Sequence, residues 1–178
     1  MITELHNYNT KNYKKFKDLV FSPNFNWNYY GPAVRTGEPD VELLTHPFLY
    51  RPGFEYPYPK PCSQYTDIAT YVCQEILGMN DINVHLFYRI AVNMVVSTQG
   101  SSPKHKDHQY PHENLIVYLN QFDGGRTLVY DVDGVEHTVE PKEDGALIFN
   151  GDLIHCHEAS TNGKRVALVA TFLRDIEL

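Results

Sequence analysis

A histidine and an aspartate stand two residues apart in the stretch Pro103-Lys104-His105-Lys106-Asp107-His108. On an extended segment, side chains at i and i+2 point to the same face, so His105 and Asp107 can offer an imidazole nitrogen and a carboxylate oxygen to one metal ion. The pair alone is a weak signal. With nine histidines and eleven aspartates in 178 residues, chance supplies roughly half such a pair. Its weight depends on a third donor elsewhere in the chain, and His155 offers one after Gly151-Asp152. His157, two residues further on, offers another at a plausible distance.

Two imidazoles and one carboxylate on one side of a metal suit non-haem Fe(II), which keeps positions open for cosubstrate and oxygen. Zinc accepts the same donors, so donor identity leaves both metals open. Arg165 opens an apolar strand ten residues after His155. It shares a face with Ala167, Val169 and Thr171, while Val166, Leu168, Ala170 and Phe172 line the other. An arginine aimed into a barrel needs an anion, and its planar fork matches a carboxylate two-pronged. The bland alternative is a solvated hairpin residue beside Lys164, after Asn162-Gly163.

The elements that must position these groups are mostly strands. Val84 to Thr98 is rich in β-branched and aromatic residues, and Leu115-Leu119, Arg126-Tyr130, Val135-Val139, Ala146-Phe149 and Arg165-Leu173 follow with turn signals between them. Asp133-Gly134 predicts a hairpin turn. No helical periodicity interrupts residues 83 to 174, so a parallel sheet is excluded and an antiparallel jelly roll is expected. Upstream, lysines interleave with Tyr13, Phe16, Leu19 and Val20 as in a short amphipathic helix within residues 1 to 20. Ser63 is placed to cap a helix in which Tyr65, Ile68, Ala69, Val72, Cys73, Ile76 and Leu77 recur at helical spacing before Gly78. Residues 21 to 61 hold eight of the eleven prolines and many aromatics, Phe54 and Tyr56 among them. Proline argues against central strands there, so an irregular segment is expected, covering the core or roofing a pocket.

One domain is expected over 1–178, with 1–82 as helical and irregular support and 83–178 as the jelly-roll core. A formal charge of −7 and a pI near 5.7 argue against broad affinity for nucleic acid or anionic membranes. No apolar run approaches a membrane span, and the N-terminus lacks a basic-then-apolar leader, so a cytoplasmic protein is expected. The three cysteines, Cys62, Cys73 and Cys156, form neither a disulfide framework nor a zinc ribbon and read as free thiols.

The order His-x-Asp, then a distal His, then Arg ten residues later, with strands between, resembles the Fe(II)/2-oxoglutarate-dependent dioxygenase superfamily. The resemblance covers roughly residues 84 to 174, and its nearest flavour is the prolyl-4-hydroxylase-like branch, including small bacterial and phage versions. Tyr118-Leu119-Asn120, Gly124-Gly125, Ala146-Leu-Ile-Phe149 and Gly163-Lys164-Arg165-Val-Ala-Leu are similar to that branch as well. The first 80 residues carry no signature of it.

The resemblance implies a double-stranded β-helix with N-terminal helices, a cupin-like barrel. It implies iron held by His105, Asp107 and His155, with His157 as the alternative distal ligand. Arg165 would pair with the distal carboxylate of 2-oxoglutarate and Tyr118 would donate to the same carboxylate. The activity implied is hydroxylation of a C–H bond of a peptide, amino acid or small molecule by O2, releasing succinate and CO2, with ascorbate as reductant. Asp107 weighs against the related halogenases, which put halide in place of this carboxylate. His108 and His112 would be surface groups, groups behind the ligands, or contacts to substrate. Two other readings stand beside this one: a cupin-like metal barrel with isomerase or hydrolase chemistry, which has no need of Arg165, and a non-catalytic barrel that binds a partner through its acidic, tyrosine-rich surface.

Overall fold

β-Branched and aromatic residues at alternating positions draw most of the chain into antiparallel strands. The computed structural model describes residues 2–34, 40–53 and 57–175. In chain order its elements are β1 (Ile2–Leu5), α1 (Lys11–Val20), β2 (Asn28–Pro32), β3 (Glu42–Tyr50), β4 (Lys60–Pro61), α2 (Thr66–Gly78), β5 (Val84–Val95) and β6 (Glu113–Tyr118). There follow β7 (Asp123–Gly124), β8 (Thr127–Tyr130), β9 (Glu136–Val139), β10 (Ala146–Asn150), β11 (Ile154–His157), β12 (Ser160–Asn162) and β13 (Arg165–Arg174).

An eight-stranded sheet runs β1-β10-β6-β13-β5-β3-β2, with β4 paired to β3. A second layer is made of β11-β8-β9 and the short pair β12-β7. All pairings among these strands are antiparallel. The jelly roll expected from the strand pattern is therefore present.

The central strand β13 divides its side chains by parity. Val166, Leu168, Ala170 and Phe172 face a core shared with Tyr13, Phe16 and Val20 of α1 and Ala69, Val72, Cys73, Ile76 and Leu77 of α2. Ala167, with Val169 beside it, packs on the opposite face against Ile116, Tyr118, Leu147, Phe149 and Val129 of β8. Each large apolar side chain buried in this way stabilises the fold by about 1.5–3 kcal/mol. The helices thus back the large sheet on one face. The other face is left for the small sheet and for the polar residues that share the parity of Arg165.

The N-terminal half departs from expectation in three places. Residues 21 to 61 are not simply irregular: β2, β3 and β4 arise there, and β3 lies inside the large sheet between β5 and β2. Pro47 is tolerated within β3 because β2 pairs with residues 42–45 and β4 with 49–50, so Pro47 falls where the outer edge has no partner. The register toward β5 also shifts between Pro47 and Leu49. Residues 2–5 form a strand on β10 before the amphipathic helix begins, so the sheet does not divide at residue 82. Finally, Ser63 stands before Tyr65, the N-cap of α2, and accepts the Tyr65 N–H at 3.1 Å instead of capping the helix itself. Within the aromatic stretch Phe25, Trp27 and Phe48 join the core, and Phe54 and Tyr56 lie outside the described residues.

Candidate active site

Backbone pairing, more than the loop sequence, brings the chemistry-bearing side chains together. The segment after β5 runs beside β11: Ser102 N–H donates to the His157 carbonyl at 2.8 Å, and His105 and His155 exchange both backbone hydrogen bonds at 3.0 Å. His105 and His155 are thus direct cross-strand neighbours, with ring centroids 4.5 Å apart. Asp107, two residues past His105, reaches the same place, its Oδ2 lying 3.4 Å from His155 Nε2. One donor atom from each of His105, Asp107 and His155 lies within 4.8 Å of the other two. That spacing suits a single ion. Among the described residues His157 does not join this group.

Each imidazole in the trio has one nitrogen fixed. His105 Nδ1 bonds to the Pro103 carbonyl at 2.9 Å and His155 Nδ1 to the Leu153 carbonyl at 3.2 Å. A carbonyl only accepts, so both Nδ1 atoms carry the proton and both Nε2 atoms keep a free lone pair. Phe149 stands edge-on to the His155 ring at 5.0 Å. Burial and the neighbouring His155 hold His105 below its ordinary pKa, which keeps it neutral. For Asp107, burial alone would raise the carboxyl, but the close His155 ring and the charges around it, Arg89 included, hold it well below the usual range. A neutral imidazole and an ionised carboxylate are the states a metal requires.

Arg165 enters the same cavity of about 200 Å³, which Thr127, His157, His105, Asp107 and His155 also line. The arginine is 3% exposed. Its Nε donates to the Gly125 carbonyl and one terminal nitrogen to Thr127 Oγ1, both at 3.1 Å. Tyr118 also bears on the guanidinium, and no carboxylate among the described residues lies in ion-pair range of Arg165. Gly125 has φ +65°, and a Cβ at that position would strike the Phe122 ring, so only glycine presents this carbonyl cleanly. A buried cation without a counter-ion is costly, and the cavity in front of it suits an anionic guest. Tyr118, 1% exposed, stands behind. Its hydroxyl bonds Thr127 Oγ1 at 2.8 Å, and its ring lies 5.4 Å from the guanidinium carbon.

Other polar atoms on the wall also lack partners. Both ends of the Asn114 amide and the Nε2 of His157 are buried and unbonded, while His157 Nδ1 is held at 3.2 Å by Ser102 Oγ. Burial and Arg165 push His157 well below the ordinary histidine pKa, so it faces the cavity neutral. Unpaired buried polar groups of this kind call for a polar guest.

His108 and His112 are not surface groups. They are 5% and 4% exposed. His108 Nε2 bonds Thr171 Oγ1 at 2.7 Å and its ring stacks on Tyr110. His112 lies so close over Gly151 that no Cβ fits there. Thr127, Ser102 and Asn114 were not singled out by the sequence. Only strand parity could have pointed to Thr127, which lies beside Arg126 after the Gly-Gly turn.

No protein-family model and no curated protein matches the sequence. Solved structures do match its fold. An oxidoreductase of the 2OG-Fe(II) oxygenase family from Burkholderia pseudomallei aligns at TM-score 0.62 and 13% identity, over 83% of this chain and 71% of that one. The chain has the double-stranded β-helix fold of 2-oxoglutarate/Fe(II) oxygenases. OsALKBH1 aligns at TM-score 0.59 and 15% identity, over 98% of this chain and 97% of that one. A Pseudomonas putida prolyl-4-hydroxylase aligns at TM-score 0.50 and 21% identity, over 85% and 79%.

Proposed function

We propose that the protein is an Fe(II)- and 2-oxoglutarate-dependent oxygenase that hydroxylates a C–H bond of a small molecule, amino acid or peptide. The observation that carries this reading is Arg165: a buried cation without a carboxylate partner shares one cavity with the His105-Asp107-His155 cluster. A zinc isomerase or hydrolase barrel has no use for that cation. An enzyme that binds a dicarboxylate beside its metal does.

In this reading His105, Asp107 and His155 hold the iron through two Nε2 atoms and a carboxylate oxygen. The Pro103 and Leu153 carbonyls orient the two rings. Arg165 and Thr127 receive the distal carboxylate of 2-oxoglutarate, with Tyr118 supporting Thr127 from behind and sharing in the same contact. His157 and Asn114 offer further polar contacts along the wall. The small sheet and the large sheet close the cavity, and exclusion of water strengthens each of these interactions. The bound iron with 2-oxoglutarate and O2 supplies the oxidising chemistry, in which the cosubstrate is converted to succinate and CO2 as substrate C–H becomes C–OH. Ascorbate belongs to the proposal as reductant. So does a cytoplasmic location, which the three free cysteines favour. No helix among the described residues is long and apolar enough to cross a membrane.

Anaerobic calorimetry tests the reading directly. Protein loaded with Fe(II) should bind one 2-oxoglutarate per chain, and under air it should release succinate slowly without added substrate. If the metal-loaded protein takes up no 2-oxoglutarate, the oxygenase reading is wrong.

A further inference from the structure

Two arginines beside Asp107 are given no contact with cosubstrate or substrate by the oxygenase reading. Arg89 projects from β5 on the cavity side, opposite Thr171 of β13. Its only ion-pair partner among the described residues is Asp107, with Nη1 3.6 Å from Oδ1. Among those residues it donates no hydrogen bond, although its side chain is only 21% exposed. A fork of guanidinium donors therefore stands in the wall with its hydrogen-bonding capacity unmet. Arg51, just after β3, donates from Nη1 to the Asp107 carbonyl at 2.9 Å. Burial, and the like charge of Arg51, lower the Arg89 pKa, and Asp107 opposes them.

The charge on the cavity wall is unbalanced. Arg51, Arg89, Lys106 and Arg165 are cationic, and Asp107 is the sole anion among the described lining residues. A divalent metal and a doubly charged cosubstrate cancel one another, so filling the proposed site leaves this excess in place. Asp107 carries a single negative charge against these four cations, so it does not neutralise the wall. Arg89 pairs with Thr171, well along β13 from Arg165, so its charge stands apart from the arginine assigned to the cosubstrate.

We infer that the substrate is a small carboxylate whose charged group is received by Arg89, with Arg51 assisting, next to Asp107. The inference rests on the oxygenase reading and narrows its substrate class. A planar guanidinium matches a carboxylate two-pronged. Because Arg89 lies within ion-pair range of a metal-binding residue, the carbon oxidised is only a few bonds from that carboxylate. A neutral residue inside a peptide chain carries no such charge, so a free amino acid or short carboxylic acid fits and a neutral peptide segment does not.

Acetate and its neutral analogue acetamide provide the probe. Protein loaded anaerobically with Mn(II) and 2-oxoglutarate would be titrated with each, following relaxation of the probe's methyl protons by the bound metal. Acetate should show saturable relaxation and acetamide should not. In Arg89→Gln the acetate affinity should fall by about tenfold or more, with Arg89→Lys intermediate. In Arg89→Lys, which keeps a charge beside Asp107, calorimetry should find 2-oxoglutarate affinity changed by less than about threefold while acetate binding still falls.

Equal relaxation by acetate in wild type and Arg89→Gln would overturn the inference and leave Arg89 only a partner of Asp107. Loss of 2-oxoglutarate affinity in Arg89→Gln, without a separate acetate effect, would assign the arginine to the cosubstrate and overturn it as well. Wild-type protein that binds no 2-oxoglutarate would sink the oxygenase reading and this inference with it. Normal 2-oxoglutarate binding with no Arg89-dependent acetate binding would sink the inference alone.

Discussion

Replacing Arg165 by Met should make the ligand-free protein more stable and its complex with 2-oxoglutarate weaker. Methionine keeps much of the volume and removes the charge. In the free protein the guanidinium is 3% exposed and has no carboxylate partner among the described residues; desolvating such a charge costs several kcal/mol. Its two hydrogen bonds, to Gly125 and Thr127, return part of that, and losing them with the Gly125 carbonyl left bare costs about 1–3 kcal/mol. The balance is a gain of about 1–3 kcal/mol for the variant. At about 2–4 °C per kcal/mol for a chain of this length, Tm should rise by roughly 2–12 °C. Losing a two-pronged charge-assisted contact should weaken 2-oxoglutarate about 100-fold. At a concentration of 100 times the wild-type Kd, the ligand stabilises wild type by about 2.7 kcal/mol and such a variant by only about 0.4 kcal/mol. Thermal melts with and without 2-oxoglutarate, on metal-loaded protein, read both quantities. A variant that melts lower than wild type yet keeps the full ligand-induced shift would refute the assignment of Arg165 to an anion.

Three further outcomes follow from particular contacts. His155→Ala should abolish metal binding while His157→Ala retains it, by metal analysis of purified protein, because only His155 groups with His105 and Asp107; the reverse result would move the distal ligand to His157. Gly151→Ala should cost about 1–3 kcal/mol in denaturant unfolding, since the new methyl would overlap the buried His112 ring, and an unchanged midpoint would mean that the ring swings clear freely. Glu158 pairs through both oxygens with Arg126 at 2.6 and 2.7 Å, and that hydrogen-bonded pairing holds its carboxyl below the ordinary glutamate value. The depressed group contributes stability above the unfolded pKa and loses it as pH falls through the folded one, so Glu158→Gln should cost about 0.5–1 kcal/mol at neutral pH and progressively less as pH falls below the ordinary glutamate range. A pH-independent difference in unfolding free energy would point to packing instead of charge.

The strands of the second half were legible because their side chains alternate over several residues, and alternation is a local property. Arg165 illustrates how far this goes: its face could be read from Ala167, Val169 and Thr171, and the structure places it on that face. β3 was not legible in the same way. Pro47 made residues 42–50 look unsuited to a sheet interior, and only the gap between the reaches of β2 and β4 accommodates it. The burial of His108 and His112 was likewise hidden, since their partners Thr171 and Gly151 are distant in sequence.

Sequence by itself determined the donor types and the parity of the strands that carry them: a His-x-Asp pair, two histidines at 155 and 157, and an arginine sharing a face of the last strand with Ala167, Val169 and Thr171. Only the tertiary structure decided which of these meet. His155 lies opposite His105 because two segments fifty residues apart exchange backbone hydrogen bonds in that register, and a register is a property of the pair, not of either strand. The same holds for Arg89, unremarkable within β5 until the fold sets Asp107 3.6 Å away. Covalent order specifies which groups are available to a site, whereas long-range pairing and burial specify their distances, protonation states and unmet hydrogen bonds.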